Sequence, residues 1–342
     1  MNTDGRTRAE IRGIAYVLPD LVVTNEMLNA ENPTWEMSRV SARTGVAKRH
    51  VAREDETAFD LASRACARLF EEHLEAHDQI DAILFCTQSG DYVMPPNSCL
   101  LHESLNLPEN VFAIDFNLAC SGFVYGLGLA QSLLASGIAT NVLLVTAETY
   151  SKHINPGDRS ARSLFGDGAA ATWITSSVSG RGLIGIQCAT SGKDHRRFII
   201  PAGGSRMPRT LETAVARLDD SGNLRSLEDI HMDGAGILSI VSSAVPRQVR
   251  TLLERANMTM DDIDLVILHQ ASKMVMDSLN ARLRVPPEKS FSNLLEVGNT
   301  VSASIPIAMR DATDAGRIRP GDRILVSGFG VGISWATAII EM

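Results

Sequence analysis

Compact apolar runs of strand length recur along the chain at "IRGIAYVLP" (11–19), "IDAILFCTQS" (80–89), "VFAIDFNLA" (111–119), "NVLLVTAE" (141–148) and "AAATWITSS" (169–177). A second set follows: "GLIGIQCATS" (182–191), "IDLVILHQAS" (263–272), "KSFSNLL" (289–295), "RILVSGFG" (323–330) and "SWATAIIEM" (334–342). Between them, "ETAFDLASRACARLFEEHL" (56–74) and "PRQVRTLLERANM" (246–258) space their apolar residues every three to four positions, the period of a helix with one buried face. Strands alternating with helices predict an α/β fold with mostly parallel sheets.

The two sets read as copies. Residues 80–89 match 263–272 at an offset of 183, and 141–148 match 323–330 at an offset of 182. Near-equal offsets in the same order predict a duplicated α/β unit, an N-terminal half over 1–177 and a C-terminal half over 178–342. Cys86 and His269 then share one place, the end of an apolar strand. Cys120 and Asn299 share another, a strand-to-helix junction. Ligands of parallel sheets collect beyond the carboxyl ends of strands, so Cys120, His269 and Asn299 are expected to converge.

Composition narrows the function classes. Of the 342 residues, 44% are hydrophobic and 21% charged, with 32 basic and 40 acidic side chains for a net charge of -8. No basic stripe or arm is present, which argues against nucleic acid as a partner. No apolar run reaches the roughly 18 residues of a membrane span, and the first residues lack a signal-peptide core. The five cysteines (66, 86, 99, 120, 188) are scattered and odd in number. They fit a reducing cytoplasm and offer no zinc spacing. His73 and His77 in "EEHLEAH" sit four apart, but Glu75 is misplaced for a zinc motif, so a solvated helix face is expected. "GFGVG" (328–332) lies too close to the end of the sequence for a dinucleotide loop and is expected to be a tight turn.

Cys120, between Ala119, Ser121 and Gly122, is the candidate nucleophile. A thiol with pKa about 8.5 is mostly protonated at neutral pH, and a helix start favours the reactive anion. Its plain alternative is a core filler. "NLACSGFVYGL", "ILHQAS", "EVGNTVSASIP" and "GFGVGISW" together resemble the β-ketoacyl-ACP synthase III family of the thiolase superfamily, as do "SARTGVAKRH" and "RSLFGDGAAATW". The resemblance spans nearly the whole chain, with its motifs in family order. It implies a thiolase fold with a layered αβαβα core and a catalytic Cys120–His269–Asn299 triad.

The implied reaction has two halves. Cys120 takes an acyl group from acyl-CoA, and a malonyl thioester on acyl carrier protein (malonyl-ACP) then undergoes decarboxylative Claisen condensation. His269 and Asn299 would hold the enolate oxygen, and the backbone N–H groups of Cys120 and Val331 the second oxyanion. No cofactor is implied beyond the CoA thioester as substrate, and no metal. The resemblance also implies a homodimer and three cationic contacts to CoA or carrier protein: Arg43, Arg159 and Lys273. Lys273 stands beside Met274, which occupies a position where the family often has arginine. Met94 falls where the family lines the acyl pocket across the dimer interface. Trp35 lies eight residues before Arg43 where the family spacing is about four, so it is not carried over. Acyl transfer to an alcohol, amine or sugar without decarboxylation is the alternative activity.

Overall fold

The structure, a computed structural model, describes residues 7–342. One mixed sheet is built from β1 (Ala9–Val17), β2 (Ala82–Cys86), β3 (Phe112–Phe116), β4 (Asn141–Glu148) and β5 (Gly168–Ser176), in the order β1–β5–β4–β2–β3. A second holds β6 (Gly182–Thr190), β7 (Leu265–Leu268), β8 (Arg323–Gly330) and β9 (Ser334–Glu341), in the order β6–β9–β8–β7. The strand order repeats: β2 runs parallel to β4 as β7 does to β8, and an antiparallel pair follows in each sheet.

The expectation of mostly parallel sheets is corrected here. The β1–β5, β5–β4, β8–β9 and β9–β6 pairings are all antiparallel. Strands buried on both faces read as continuous apolar runs whichever way they pair, so direction was not encoded in the pattern.

Three helical layers alternate with the sheets. On the outer face of the first sheet lies α1 (Ala58–Glu72), opened by a Thr57–Asp60 capping box. Between the sheets lie α2 (Gly122–Ser136) and, later in the sequence, α5 (Ser304–Asp314). The α2 sequence is apolar on most of its faces, as a helix covered on both sides must be. Gly126 lets it close on the sheet: a Cβ there would stand 2.5 Å from Leu144. The outer face of the second sheet carries α3 (Gly234–Arg255) and α4 (Lys273–Leu283).

Local expectations fail in three places. The helix expected from Pro246 begins at Gly234, with Asp233 Oδ1 accepting from the Gly236 N–H at 2.8 Å. Residues 289–295 are not a strand; only Ser290 bridges to Val266, in parallel, at the place β3 holds beside β2. The His73–His77 stretch is not a helix face. α1 stops at Glu72, His73 packs edge-on against Trp173, and His77 bonds the Leu105 carbonyl at 2.8 Å.

Candidate active site

Cys120 sits in the turn between β3 and α2 and is 3% exposed. Glycines let three segments close around it. A Cβ on Gly122 would strike the Cys86 sulfur, one on Gly328 would lie 2.5 Å from the Cys120 carbonyl oxygen, and one on Gly330 would lie 2.8 Å from the Cys120 sulfur. "GFGVG" is therefore not simply a turn. Its first two glycines end β8 against Cys120, and only Gly332, at φ +128°, shapes the turn into β9. Ser121 and Ser334 hydroxyls meet at 2.8 Å and tie the start of α2 to that turn. The expected stabilisation of the thiolate is outweighed by depth. Burial pushes the Cys120 thiol well up and the neighbouring Glu148 adds to this, against the pull of its own backbone N–H. The resting group is a thiol.

His269 follows β7, and its N–H still bonds the Ser327 carbonyl of β8 at 2.8 Å. Its ring is buried edge-on to Phe329, and burial pushes its pKa down to about 3, so it is neutral at pH 7. Nδ1 lies 2.6 Å from the Ser304 hydroxyl at the start of α5. Nε2 lies 3.5 Å from the Asn299 amide nitrogen. The Asn299 amide is locked: its oxygen accepts from the Val301 N–H at 2.9 Å and its nitrogen donates to the Ala271 carbonyl at 3.3 Å. A hydroxyl can give or take one hydrogen bond. When Ser304 donates, Nε2 carries the proton; when Ser304 accepts, Nε2 presents a lone pair.

The turn bearing Asn299 is held under strain. Val301, β-branched and buried, has φ +56°, a conformation that costs on the order of 1–3 kcal/mol. Glu148, fully buried at the end of β4, anchors that turn. It accepts from the Ser302 hydroxyl at 2.8 Å, and from the Gln88 N–H and Ser89 hydroxyl at 3.0 Å each. Burial outweighs these donors and raises its pKa to about 8.

Cys120, His269 and Asn299 line one cavity of about 760 Å³. Exposed side chains on the same wall, Arg39, Arg43 and Met274, mark its outer end. Arg43, in the last turn of the helix Met37–Thr44, and Arg159, at the start of Arg159–Arg162, both line it. Lys273 is not on this wall. Its ammonium pairs with Asp277 one turn on, and Ser272, Met274 and Val275 face the cavity instead. Met94 is 79% exposed and lies outside the described cavities. Val331 lines a second, smaller cavity. Sequence reasoning passed over Trp35, Phe165 and Phe198, all on the main wall. It also passed over Ser304 and Glu148. Glu148 had a signal, an acidic residue closing an otherwise apolar strand.

A sequence model described as 3-oxoacyl-[acyl-carrier-protein (ACP)] synthase III matches residues 114–192, and one for the C-terminal part of that family matches 253–342. The β-ketoacyl-[acyl-carrier-protein] synthase III of Campylobacter curvus is 36% identical over 338 residues, covering 98% of this chain and 97% of the relative. That of Fusobacterium nucleatum is 33% identical over 334 residues, covering 97% and 98%. The chain belongs to the 3-oxoacyl-ACP synthase III family. A solved 3-oxoacyl-(acyl-carrier-protein) synthase III superposes with TM-score 0.95 at 38% identity, covering 98% of this chain and all of that one. The Pseudomonas aeruginosa PAO1 enzyme superposes with TM-score 0.85 at 30% identity, covering 98% of each. The fold is thus that of the thiolase superfamily, and the chain is an acyl-transferring enzyme of the condensing type. The first family match contains Cys120 and the second contains His269 and Asn299.

Proposed function

We propose that this synthase acylates Cys120 from an acyl-CoA and then condenses that acyl group with malonyl-ACP. The observation that carries the proposal is the convergence of a buried thiol, a neutral imidazole and a fixed carboxamide on one cavity, whose wall also carries Arg43 and Arg159, and Arg39 paired with Glu36. In the first half-reaction the Cys120 sulfur bonds the acyl carbon and the carbon–sulfur bond to CoA breaks. The thiol proton passes through His269 Nε2 to the departing CoA sulfur, with Ser304 accepting from Nδ1. In the second, the malonyl carbon–carboxylate bond breaks and carbon dioxide leaves. The enolate oxygen is held by Nε2–H of His269 and the Asn299 amide, with Ser304 now donating to Nδ1. The enolate carbon attacks the acyl-Cys120 carbonyl, whose oxyanion takes the N–H groups of Cys120 and Val331. Collapse gives the β-ketoacyl carrier protein and frees the sulfur to regain a proton.

Arg43 and Arg159 are assigned to phosphate groups of CoA or of the carrier's pantetheine arm, for which guanidinium forks are suited. Lys273, off the cavity wall and paired with Asp277, is assigned to the carrier protein, whose carboxylates would compete with Asp277 for the ammonium. The bound thioester is the only small molecule the mechanism needs.

The same reading places the protein in the cytoplasm as a homodimer divided into halves near residue 177. The repeated strand order supports the halves. Among the described residues strand β3 has a neighbour on one side only, and Tyr92, Val93 and Met94, in the segment that joins β2 to β3, are 64%, 102% and 79% exposed, surfaces that a second copy would cover. All five cysteines are free, in keeping with a reducing compartment. Among the described residues no helix is long and apolar enough to cross a membrane.

The test is to load the enzyme with acyl-CoA, add malonyl-ACP, and follow carbon dioxide and the β-ketoacyl product together. Both should appear in equal amounts. Discharge of the acyl-enzyme onto an alcohol or amine without carbon dioxide would instead establish the transfer activity. Sedimentation at assay concentration tests the dimer, and a fully active monomer would refute it.

A further inference from the structure

The cavity beside the main one, about 300 Å³, is lined by polar Gln88, Asn117, Tyr150 and His153 together with apolar residues that include Phe198 and Ile230. It lies next to the cavity that holds Cys120. Phe198 lines both cavities, and Val331, also on its wall, follows the glycine that touches the Cys120 sulfur. Cys120, Tyr150, Phe198 and Ile230 belong to one packed cluster. At roughly 30 Å³ for each water-sized group, the space holds on the order of ten non-hydrogen atoms.

Its polar wall is half spent. Tyr150 donates to the Gln88 side-chain oxygen, and the Gln88 amide nitrogen donates to Asn117 Oδ1 at 2.7 Å. The Asn117 amide nitrogen and both ring nitrogens of His153 have no partner among the described residues. Burial, reinforced by Arg209, lowers the His153 pKa, so at neutral pH it offers one donor and one acceptor. No Lys, Arg, Asp or Glu lines the cavity among the described residues, so nothing there compensates a charged tail. Asn117 is exposed and its amide stays hydrated, but a purely alkyl tail would cover the half-buried His153 ring and leave its nitrogens unsatisfied, at a cost that a hydroxyl avoids.

We infer that this cavity receives the tail of the acyl group on Cys120 and favours short tails bearing a hydroxyl over plain alkyl tails of the same length. The inference rests on the reading of Cys120 as the acyl acceptor.

The experiment is a competition. Purified wild-type protein is given butyryl-CoA against 3-hydroxybutyryl-CoA, and hexanoyl-CoA against 3-hydroxyhexanoyl- or 5-hydroxyhexanoyl-CoA, with Cys120 adducts resolved by intact mass. One hydroxyacyl member should win over its alkyl match by about tenfold, the value of roughly one satisfied hydrogen bond. His153→Phe should move that ratio towards the alkyl chain. The inference is overturned if no hydroxyacyl chain outcompetes its alkyl match in the wild type, or if His153→Phe leaves the ratio unchanged. Adducts that are absent for every donor, or that survive Cys120→Ser, would overturn the reading of the site itself, an outcome separate from a lost preference.

Discussion

Replacing Ser304 by alanine isolates one hydrogen bond on which both half-reactions draw. The Ser304 hydroxyl lies 2.6 Å from His269 Nδ1, and both residues are 2% exposed. Loss of the hydroxyl leaves a buried ring nitrogen without a partner, which costs about 1–3 kcal/mol of stability. The kinetic effect is more selective. The Asn299 amide nitrogen, 3.5 Å from Nε2, can only donate, so without Ser304 the ring is drawn to the tautomer with the proton on Nδ1. Nε2 then cannot donate to the enolate oxygen. Removing one such donor costs roughly 10²- to 10³-fold in rate, near 3 kcal/mol. Ser304→Ala should therefore slow carbon dioxide release from malonyl-ACP on pre-acylated enzyme by about that factor. Cys120 acylation, which needs the Nε2 lone pair, should fall far less. Ser304→Thr should restore decarboxylation, and imidazole ¹⁵N shifts should report the tautomer directly. Decarboxylation within a few-fold of wild type in the alanine variant, or equal losses in both steps, would refute the reasoning.

Other expectations follow from the same geometry. Gly330→Ala puts a methyl group 2.8 Å from the Cys120 sulfur and should slow acylation sharply, with an overpacking cost of about 1–3 kcal/mol; unchanged acylation kinetics would contradict the packing described. His269 takes up its proton near pH 6.5 when unfolded but only at about 3 when folded, so stability falls as pH drops. That loss should reach about 2 kcal/mol at pH 5 in urea titrations and should be absent in His269→Asn. Glu148 has the opposite sign: its folded pKa of about 8 lies above the ordinary 4.5, so its contribution is lost as pH rises between them. Glu148→Gln should remove a destabilisation on the order of 3 kcal/mol at pH 7, and an unchanged pH slope would count against a buried acid there.

The strands were the most legible part of the chain. "NVLLVTAE" and "RILVSGFG" match β4 and β8 residue for residue, because strands covered on both faces are written as uninterrupted apolar runs. Strand direction left no such mark. The start of α3 was hidden by a Gly- and Ser-rich first half and by Pro246, which reads as a first-turn residue but lies mid-helix. At the site, the sequence motifs pointed to Cys120, His269 and Asn299, which share a cavity. The partners that condition them were invisible. Ser304 is one small polar residue among several in "VSASIP", and only the fold brings it to a ring 35 positions away. Trp35 was passed over on spacing alone, although it lines the cavity. The depth that keeps Cys120 protonated is likewise a property of packing, since the helix start seen in sequence argues for the anion.

The central claim is that an acyl group leaves CoA for the sulfur of Cys120. Intact-mass analysis after mixing the protein with acetyl-CoA, followed by peptide mapping, tests it most directly. The account predicts a gain of one acetyl group per chain, carried on Cys120 and lost in Cys120→Ser. An unmodified wild-type chain, or a group mapped to Cys86, Cys188 or any other residue, would contradict it.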